Sequence, residues 1–247
     1  MKLSVIVPVY NGAVFISETF RELADYLEQQ GEEYELLFVD DGSRDNTGSI
    51  LEELAGRHPR VFLIRNGNGN NRGKGYSVRA GMKQAQGDFL VFTDADLAYP
   101  PTEIDKIVHT LQEGADLAIA TRVAPASRFI MNPEFFGYIY TRHLGSRLFN
   151  WLVRKVLGLS IYDTQAGLKG FSRKAKEIIF HRQTLEGFTF DVELIYIAQK
   201  FGLQVLEVPV FFRYFSESTT VSFLTQSLAS VKDLFSIRAK NKKGIYQ

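Results

Sequence analysis

The sequence predicts an α/β protein with a doubly wound, mostly parallel but mixed sheet flanked by helices. Three observations predict it. Short apolar runs alternate with stretches of helical period, the pattern of successive βαβ units. The early runs are apolar almost throughout, as strands buried on both faces must be. The polar clusters Tyr10-Asn11, Asp40-Asp41 and Asp94–Asp96 each follow directly on such a run. In sheets of this kind, ligands bind beyond the carboxyl ends of the strands.

The elements follow in order. Residues 3–9 form a β-rich run closed by the turn signal Tyr10-Asn11-Gly12. Phe15, Thr19, Leu23 and Leu27 then recur every four residues, one face of a helix. Residues 34–39 are the second strand, Asp41-Gly42-Ser43 turns the chain, and residues 49–54 sit in a second helix. A third strand spans 61–64, a helix 77–85, a fourth strand 89–93. Pro101 or Thr102 opens a helix reaching Leu111, and residues 117–120 are a fifth strand. The second half changes character. Residues 133–158 interleave Phe135, Phe136, Tyr138, Tyr140, Phe149 and Trp151 with Arg142, His143, Arg147, Arg154 and Lys155. A glycine-containing loop is expected over 163–170, a helix over 190–201, a strand over 204–209 and a terminal amphipathic helix over 221–238. No internal repeat and no linker interrupts the chain, so one domain is expected.

Composition narrows the chemistry. The 247 residues carry 29 Lys+Arg against 28 Asp+Glu, a net charge of +1, which gives no basis for general nucleic-acid binding. With no cysteine, disulfides, thiolate metal sites and thiol catalysis are excluded. No stretch approaches the roughly 18 apolar residues of a membrane span. The opening run is short and meets Pro8 and Asn11 at once, so it reads as a strand of a cytosolic protein and not as a signal peptide.

The strongest chemical signal is Phe92-Thr93-Asp94-Ala95-Asp96. Two carboxylates two residues apart at a strand end repel unless a cation lies between them. A pair of hard oxygen donors suits Mg²⁺ or Mn²⁺, which retains water and phosphate oxygens as further ligands. Asp40 and Asp41 stand at the next strand end, placed to accept hydrogen bonds from a base or ribose. The basic, glycine-rich segment 66–75 resembles a phosphate loop but fits neither common pattern. A Walker A loop needs Gly where Asn68 stands and Ser or Thr where Gly75 stands, and in G-x-G-x-x-G terms Gly73 comes one residue late.

Together, SVIVPVYN (4–11), VDDGS (39–43), NRGKG (71–75) and TDAD (93–96) resemble the family 2 glycosyltransferases with the GT-A fold. In the second half Arg122, Arg142, DTQAGLK (163–169), FDVEL (190–194) and EVPV (207–210) are similar to the polyprenyl-phosphate sugar transferases, most of all dolichyl-phosphate glucosyltransferases. The resemblance implies that Pro8, Tyr10, Asp40, Asp41, Lys74 and Asp94 contact the nucleotide. It implies Asp94 and Asp96 as metal ligands, and Arg142, Gln165, Lys169 and Arg213 as contacts to acceptor phosphate. Asp94, Asp96, Arg122 and Arg142 are then the catalytic set. Thr219 occupies the place of a lysine in the corresponding family motif.

The implied organisation is a nucleotide-binding half (1–97), an acceptor half (98–212) and a C-terminal helix with a basic tail (213–247). The implied reaction is inverting transfer of a sugar, glucose from UDP-glucose first, to a dolichyl- or undecaprenyl-type phosphate. A phosphate monoester is largely ionised at neutral pH, so it needs arginines to hold it more than a base. The aromatic, arginine-bearing stretch 133–158 fits an interfacial helix, which implies peripheral attachment to the cytoplasmic face of a membrane. GDP-mannose as donor, a saccharide hydroxyl as acceptor and a nucleotide-sugar-binding regulator without turnover are the alternatives.

Overall fold

The computed structural model describes residues 1–66, 69–131, 136–214 and 223–247, and within these all side chains except 136–144, 214 and 223–228. In chain order the described elements are β1 (Lys2–Val9), α1 (Ile16–Gln29), β2 (Glu33–Asp40), α2 (Thr47–Arg57), β3 (Val61–Arg65) and α3 (Lys74–Gln84). Then come β4 (Phe89–Thr93), α4 (Glu103–Gln112), β5 (Leu117–Thr121), β6 (Arg128–Met131) and α5 (Phe136–Leu157). The last are β7 (Leu168–Ser172), α6 (Arg173–Arg182), α7 (Phe190–Lys200), β8 (Val205–Pro209), β9 (Phe211–Tyr214) and α8 (Phe223–Lys242).

Seven strands form one sheet in the order β3-β2-β1-β4-β7-β5-β8. Six run parallel, and β7 is antiparallel to both β4 and β5. Strand alternation sorts the apolar residues to two faces. Val5, Val7, Leu36 and Phe38 pack with α1, α2 and α4, whereas Ile6, Leu37, Leu90 and Phe92 pack under α3, α5, α6, α7 and α8. Every central strand therefore needs apolar residues on both sides, which is why the runs are continuous.

The mixed, mostly parallel sheet flanked by helices is the one expected, but four elements were not legible. The expected loop 163–170 is in part a central strand: β7 begins at Leu168. Lys169 and Gly170 read as turn residues, yet each is spent on packing. The Lys169 ammonium is fully buried against Asp191. A Cβ on Gly170 would lie 2.3 Å from Ile107 Cγ2 and 2.9 Å from Leu111 Cδ1, so α4 rests on bare β7 backbone. Helix α6 and the parallel pair β6–β9 were also unforeseen. Phe15 lies just outside α1, and α3 begins at Lys74, three residues before the expected start.

Because β7 runs against its neighbours, its amino end lies where β4 and β5 have their carboxyl ends. Thr93 pairs with Leu168, which sets Gly167 beside Asp94. The carboxyl ends of β1, β2, β4 and β5 and the start of β7 thus share one edge of the sheet.

Candidate active site

At this edge the polar clusters divide into two groups. The first is built after β1, β2 and β3. Asn11 takes a left-handed conformation (φ 52°), which asparagine tolerates. Its N–H donates to Ser43 Oγ at 2.9 Å, and the Arg44 N–H donates to Asn11 Oδ1 at 2.8 Å. Asp40 is buried and accepts from the Ser43 N–H at 2.9 Å. Asp41 is also buried, and its carboxylate anchors the segment 66–73. It accepts from Arg72 N–H at 3.0 Å, Gly73 N–H at 2.7 Å and Asn66 Nδ2 at 3.2 Å. Burial pushes the Asp41 carboxyl above the usual range, and these donors offset part of that rise. Gly42 closes the turn at φ +74°, where an added Cβ would strike the backbone of Gly69 and Asn70 at 2.8–2.9 Å. Pro8 and Tyr10 are half-buried beside this turn.

The second group gathers Lys74, Asp94, Asp96, Tyr99, Arg122, Asp163, Gly167, Lys169 and Asp191. Lys74 opens α3, and its Nζ lies 2.5 Å from Asp94 Oδ1. The start of α3 is shaped by the segment 183–187. Gly73 (φ +108°) has no room for a Cβ, which would come 2.6 Å from the Glu186 carbonyl oxygen. That carbonyl accepts the Tyr76 N–H, and the Glu186 carboxylate binds Arg72 and Arg79 at 2.5 and 2.9 Å. Gly167 faces Asp94 so closely that a Cβ there would sit on Asp94 Oδ2.

Asp96 stands more open than its neighbours and accepts from the Ala98 N–H at 3.0 Å. Desolvation by the surrounding chain, then the charge of Asp94, raises its carboxyl above the usual range. Burial alone would lower the Lys74 ammonium, but the charges of Asp94 and Asp191 more than offset it and hold it above the ordinary lysine value. Behind them Lys169 is fully buried on β7, donating to Ala166 O and Asp191 Oδ1 at 2.6 Å each. Burial lowers Lys169 and raises Asp191, each partly offset by the other's charge.

Arg122 follows β5. Its Nε and one Nη donate to the two oxygens of Asp163 at 2.8 Å, and its backbone N–H donates to the same carboxylate at 2.9 Å. Asp163 is 1% exposed. Burial would raise its carboxyl, but the Arg122 charge and hydrogen bonds override this and hold it below the usual range. The N–H groups of Tyr162 and Asp163 donate in turn to Glu207 on β8 at 3.0–3.2 Å. Tyr99 is buried near these charges, and desolvation pushes its phenol well up.

The structure therefore brings Lys74, Asp94, Asp96 and Arg122 to one edge, with Asp40, Asp41, Pro8 and Tyr10 on the adjoining part of it. Gln165 is half-buried in the same segment as Asp163. Lys169 requires a correction: expected to hold phosphate, it is closed off from solvent and neutralises Asp191. Arg213 lies on β9, its N–H donating to Ala98 O at 2.7 Å and its guanidinium 3.9 Å from Glu22. The Arg142 side chain and residue Thr219 lie outside the described residues. Tyr99, Glu186 and Gly167 were not foreseen, since their roles come from contacts made across more than sixty residues of chain.

The pattern of the family described as "Glycosyl transferase family 2" matches residues 4–179. The chain is 30% identical over 257 residues to the dolichyl-phosphate beta-glucosyltransferase of Homo sapiens, covering 100% of this chain and 78% of that one. It is 30% identical over 210 residues to one of Trichomonas vaginalis, covering 83% of this chain and spanning 62% of the length of that relative. Among solved structures, glucosyl-3-phosphoglycerate synthase from Mycobacterium tuberculosis, crystallised with Mn²⁺, UDP and glucosyl-3-phosphoglycerate, superposes with a TM-score of 0.68. That match covers 96% of this chain and 79% of that chain at 19% identity, so it speaks for the fold. With its acid pair at the carboxyl edge of such a sheet, the chain belongs to glycosyl transferase family 2 and carries the GT-A fold.

Proposed function

We propose that the protein transfers a hexose, glucose from UDP-glucose first, to a polyprenyl phosphate at a membrane surface. The observation that carries the reading is the Asp94–Asp96 pair at the end of β4, one acid paired with Lys74 and the other raised by desolvation and then by the charge of its neighbour. Such a centre is built to meet a cationic and phosphate-bearing ligand. Two hard carboxylates suit a divalent cation, and among the described residues no group of three or more His, Asp or Glu is placed to hold one by itself. Mg²⁺ or Mn²⁺ held so sparsely needs phosphate oxygens and water as its remaining ligands. Bound there, it would supply charge stabilisation for the departing diphosphate.

The chain's own residues do the rest. Asp41 fixes the segment beside the nucleoside turn, and Lys74 presents an ammonium at the diphosphate side of the acids. Asp163 sets the plane of the Arg122 guanidinium, which suits bidentate capture of a phosphate oxygen pair. The acceptor phosphate attacks the anomeric carbon as the bond to the diphosphate breaks, without a general base. The relatives named for dolichyl phosphate support this acceptor.

Helix α5 supports the membrane surface. Arg147, Leu148, Trp151 and Lys155 are exposed along it, Leu148 at 67% and Trp151 at 50%, a basic-aromatic stripe of interfacial type. No helix among the described residues is long and apolar enough to cross a membrane. The test is incubation with radiolabelled UDP-glucose, GDP-mannose and extracted lipid, followed by product analysis. Label from UDP-glucose in acid-labile lipid is expected. Label confined to water-soluble saccharide would overturn the acceptor, and label from GDP-mannose alone would overturn the donor.

A further inference from the structure

Resting on that reading, we propose that Lys74 is an internal counter-ion that holds Asp94 closed to divalent cations until a nucleoside diphosphate takes over its ammonium. Among the described residues, the cations whose charges bear on Asp94, Asp96 and Asp191 include Lys74 and Lys169. Lys169 is committed: fully buried, it donates to Ala166 O and Asp191 Oδ1. Lys74 is the cation set against the acid pair, with Nζ 2.5 Å from Asp94 Oδ1 and its side chain 17% exposed.

Geometry fixes Asp94 and the backbone that carries Lys74. The second oxygen of Asp94 is pressed against Gly167, so the carboxylate has no room to swing away from Lys74 on that side. On the lysine side, Gly73 and Tyr76 are locked to Glu186, and a Cβ on Gly75 would collide with Phe190 Cβ and Leu185 O at 2.6 and 2.8 Å. The first turn of α3 is thereby fixed, and only the long lysine side chain is free to rotate. Without a nucleotide, a divalent cation would meet an ammonium on Asp94, leaving Asp96 as its carboxylate ligand, too few for firm binding.

A diphosphate changes the balance. It offers the ammonium a stronger anion than Asp94, and it brings its own oxygens to the cation. As Lys74 turns to the phosphates, Asp94 becomes available beside Asp96. Cation and nucleotide then bind with positive coupling, and by linkage each raises the affinity of the other by the same factor. Lys74 is thus a positioning residue for order of binding as well as a phosphate contact, and the acid pair is not left as a general cation scavenger.

The experiment measures Mn²⁺ binding to the full chain by electron paramagnetic resonance, with and without UDP, in wild type, Lys74→Met and Lys74→Arg. Binding is read directly, not through turnover. Lys74→Met should bind Mn²⁺ in the absence of UDP about tenfold more tightly than wild type, while UDP alone binds it more weakly. Lys74→Arg, which keeps the charge, should retain the wild-type suppression. The proposal is overturned if Lys74→Met binds Mn²⁺ without UDP no better than wild type while all forms bind it with UDP. Absence of protein-bound Mn²⁺ in every form, UDP present, overturns the metal-dependent reading itself, a distinguishable failure. Circular dichroism and the Lys74→Arg variant exclude misfolding as the cause.

Discussion

Gly167 shows how one missing Cβ sets the geometry of an acid. Because that atom would occupy the place of Asp94 Oδ2, Gly167→Ala must push the carboxylate out of line with Lys74 and Asp96. Displacements of about 1 Å cost catalysis roughly 100-fold, so kcat should fall by about that factor while the melting temperature changes little. Asp96→Asn removes the more open acid and should lower turnover by about 10²–10³-fold with the circular dichroism spectrum unchanged. Full activity of that variant in excess EDTA would refute a metal role for Asp96. Asp41→Ala acts differently. It leaves the acids alone but releases Asn66, Arg72 and Gly73. The expected result is a higher KM for the nucleotide sugar with a smaller change in kcat, a loss of ground-state binding.

At the scale of elements, the ion pair between the β5 end and the segment before β7 makes a pH signature. The folded-state carboxyl of Asp163 lies below its unfolded value of about 3.9. Its contribution to stability is therefore complete above that value and is lost as pH falls through the lower, folded one. Arg122→Ala removes the charge that depresses it and leaves burial as the ruling influence. Asp163 should then titrate above about 3.9, and its linkage reverses: stability from this group falls as pH rises through the new window. Denaturant unfolding between pH 3 and pH 7 checks this. At neutral pH the variant should lose about 3 kcal/mol, the low end for removing one partner of a buried pair, because Arg122 keeps 24% of its side chain exposed. A variant whose stability still rises with pH as in wild type would contradict the assignment. Glu193 on α7 is an internal anchor between α7, the segment before it and the C-terminus. It is fully buried and accepts from Thr184, Leu185 and the Tyr246 hydroxyl.

For the whole molecule, the proposed lipid acceptor calls for a surface that meets a bilayer. Besides the exposed stripe of Arg147, Leu148, Trp151 and Lys155 on α5, Phe129 and Ile130 on β6 are 54% and 55% exposed. Burying part of an aromatic side chain contributes on the order of 1–2 kcal/mol. Trp151→Ala should therefore weaken flotation with anionic vesicles roughly tenfold, and salt should weaken the wild type as well. UDP binding in the absence of lipid should stay at the wild-type level. Vesicle binding that ignores both the substitution and salt would remove α5 from the membrane surface.

Sequence alone determined the layered architecture, because strands buried on both faces and helices with one buried face leave periodicities that nothing else produces. Val5 to Val9 and Leu36 to Val39 read as central strands and are so. The acids of the candidate site could also be named, since Asp40 and Asp41 follow on the second of these runs and Asp94 and Asp96 on the apolar run 89–93. What only the tertiary structure decided is which partner each charge has. Lys169 reads as a free cation until β7 threads antiparallel between β4 and β5 and seals it beside Asp191. Asp41 reads as a ligand group until the segment after β3 folds back onto it. Lys74 reads as one basic residue in a glycine-rich loop until α3 and Gly167 bring it to Asp94. The physical reason is common to all three. Burial along a strand or helix is a local, periodic property, whereas ion pairing is settled by contacts between segments far apart in the chain, and no local pattern records which of them will meet.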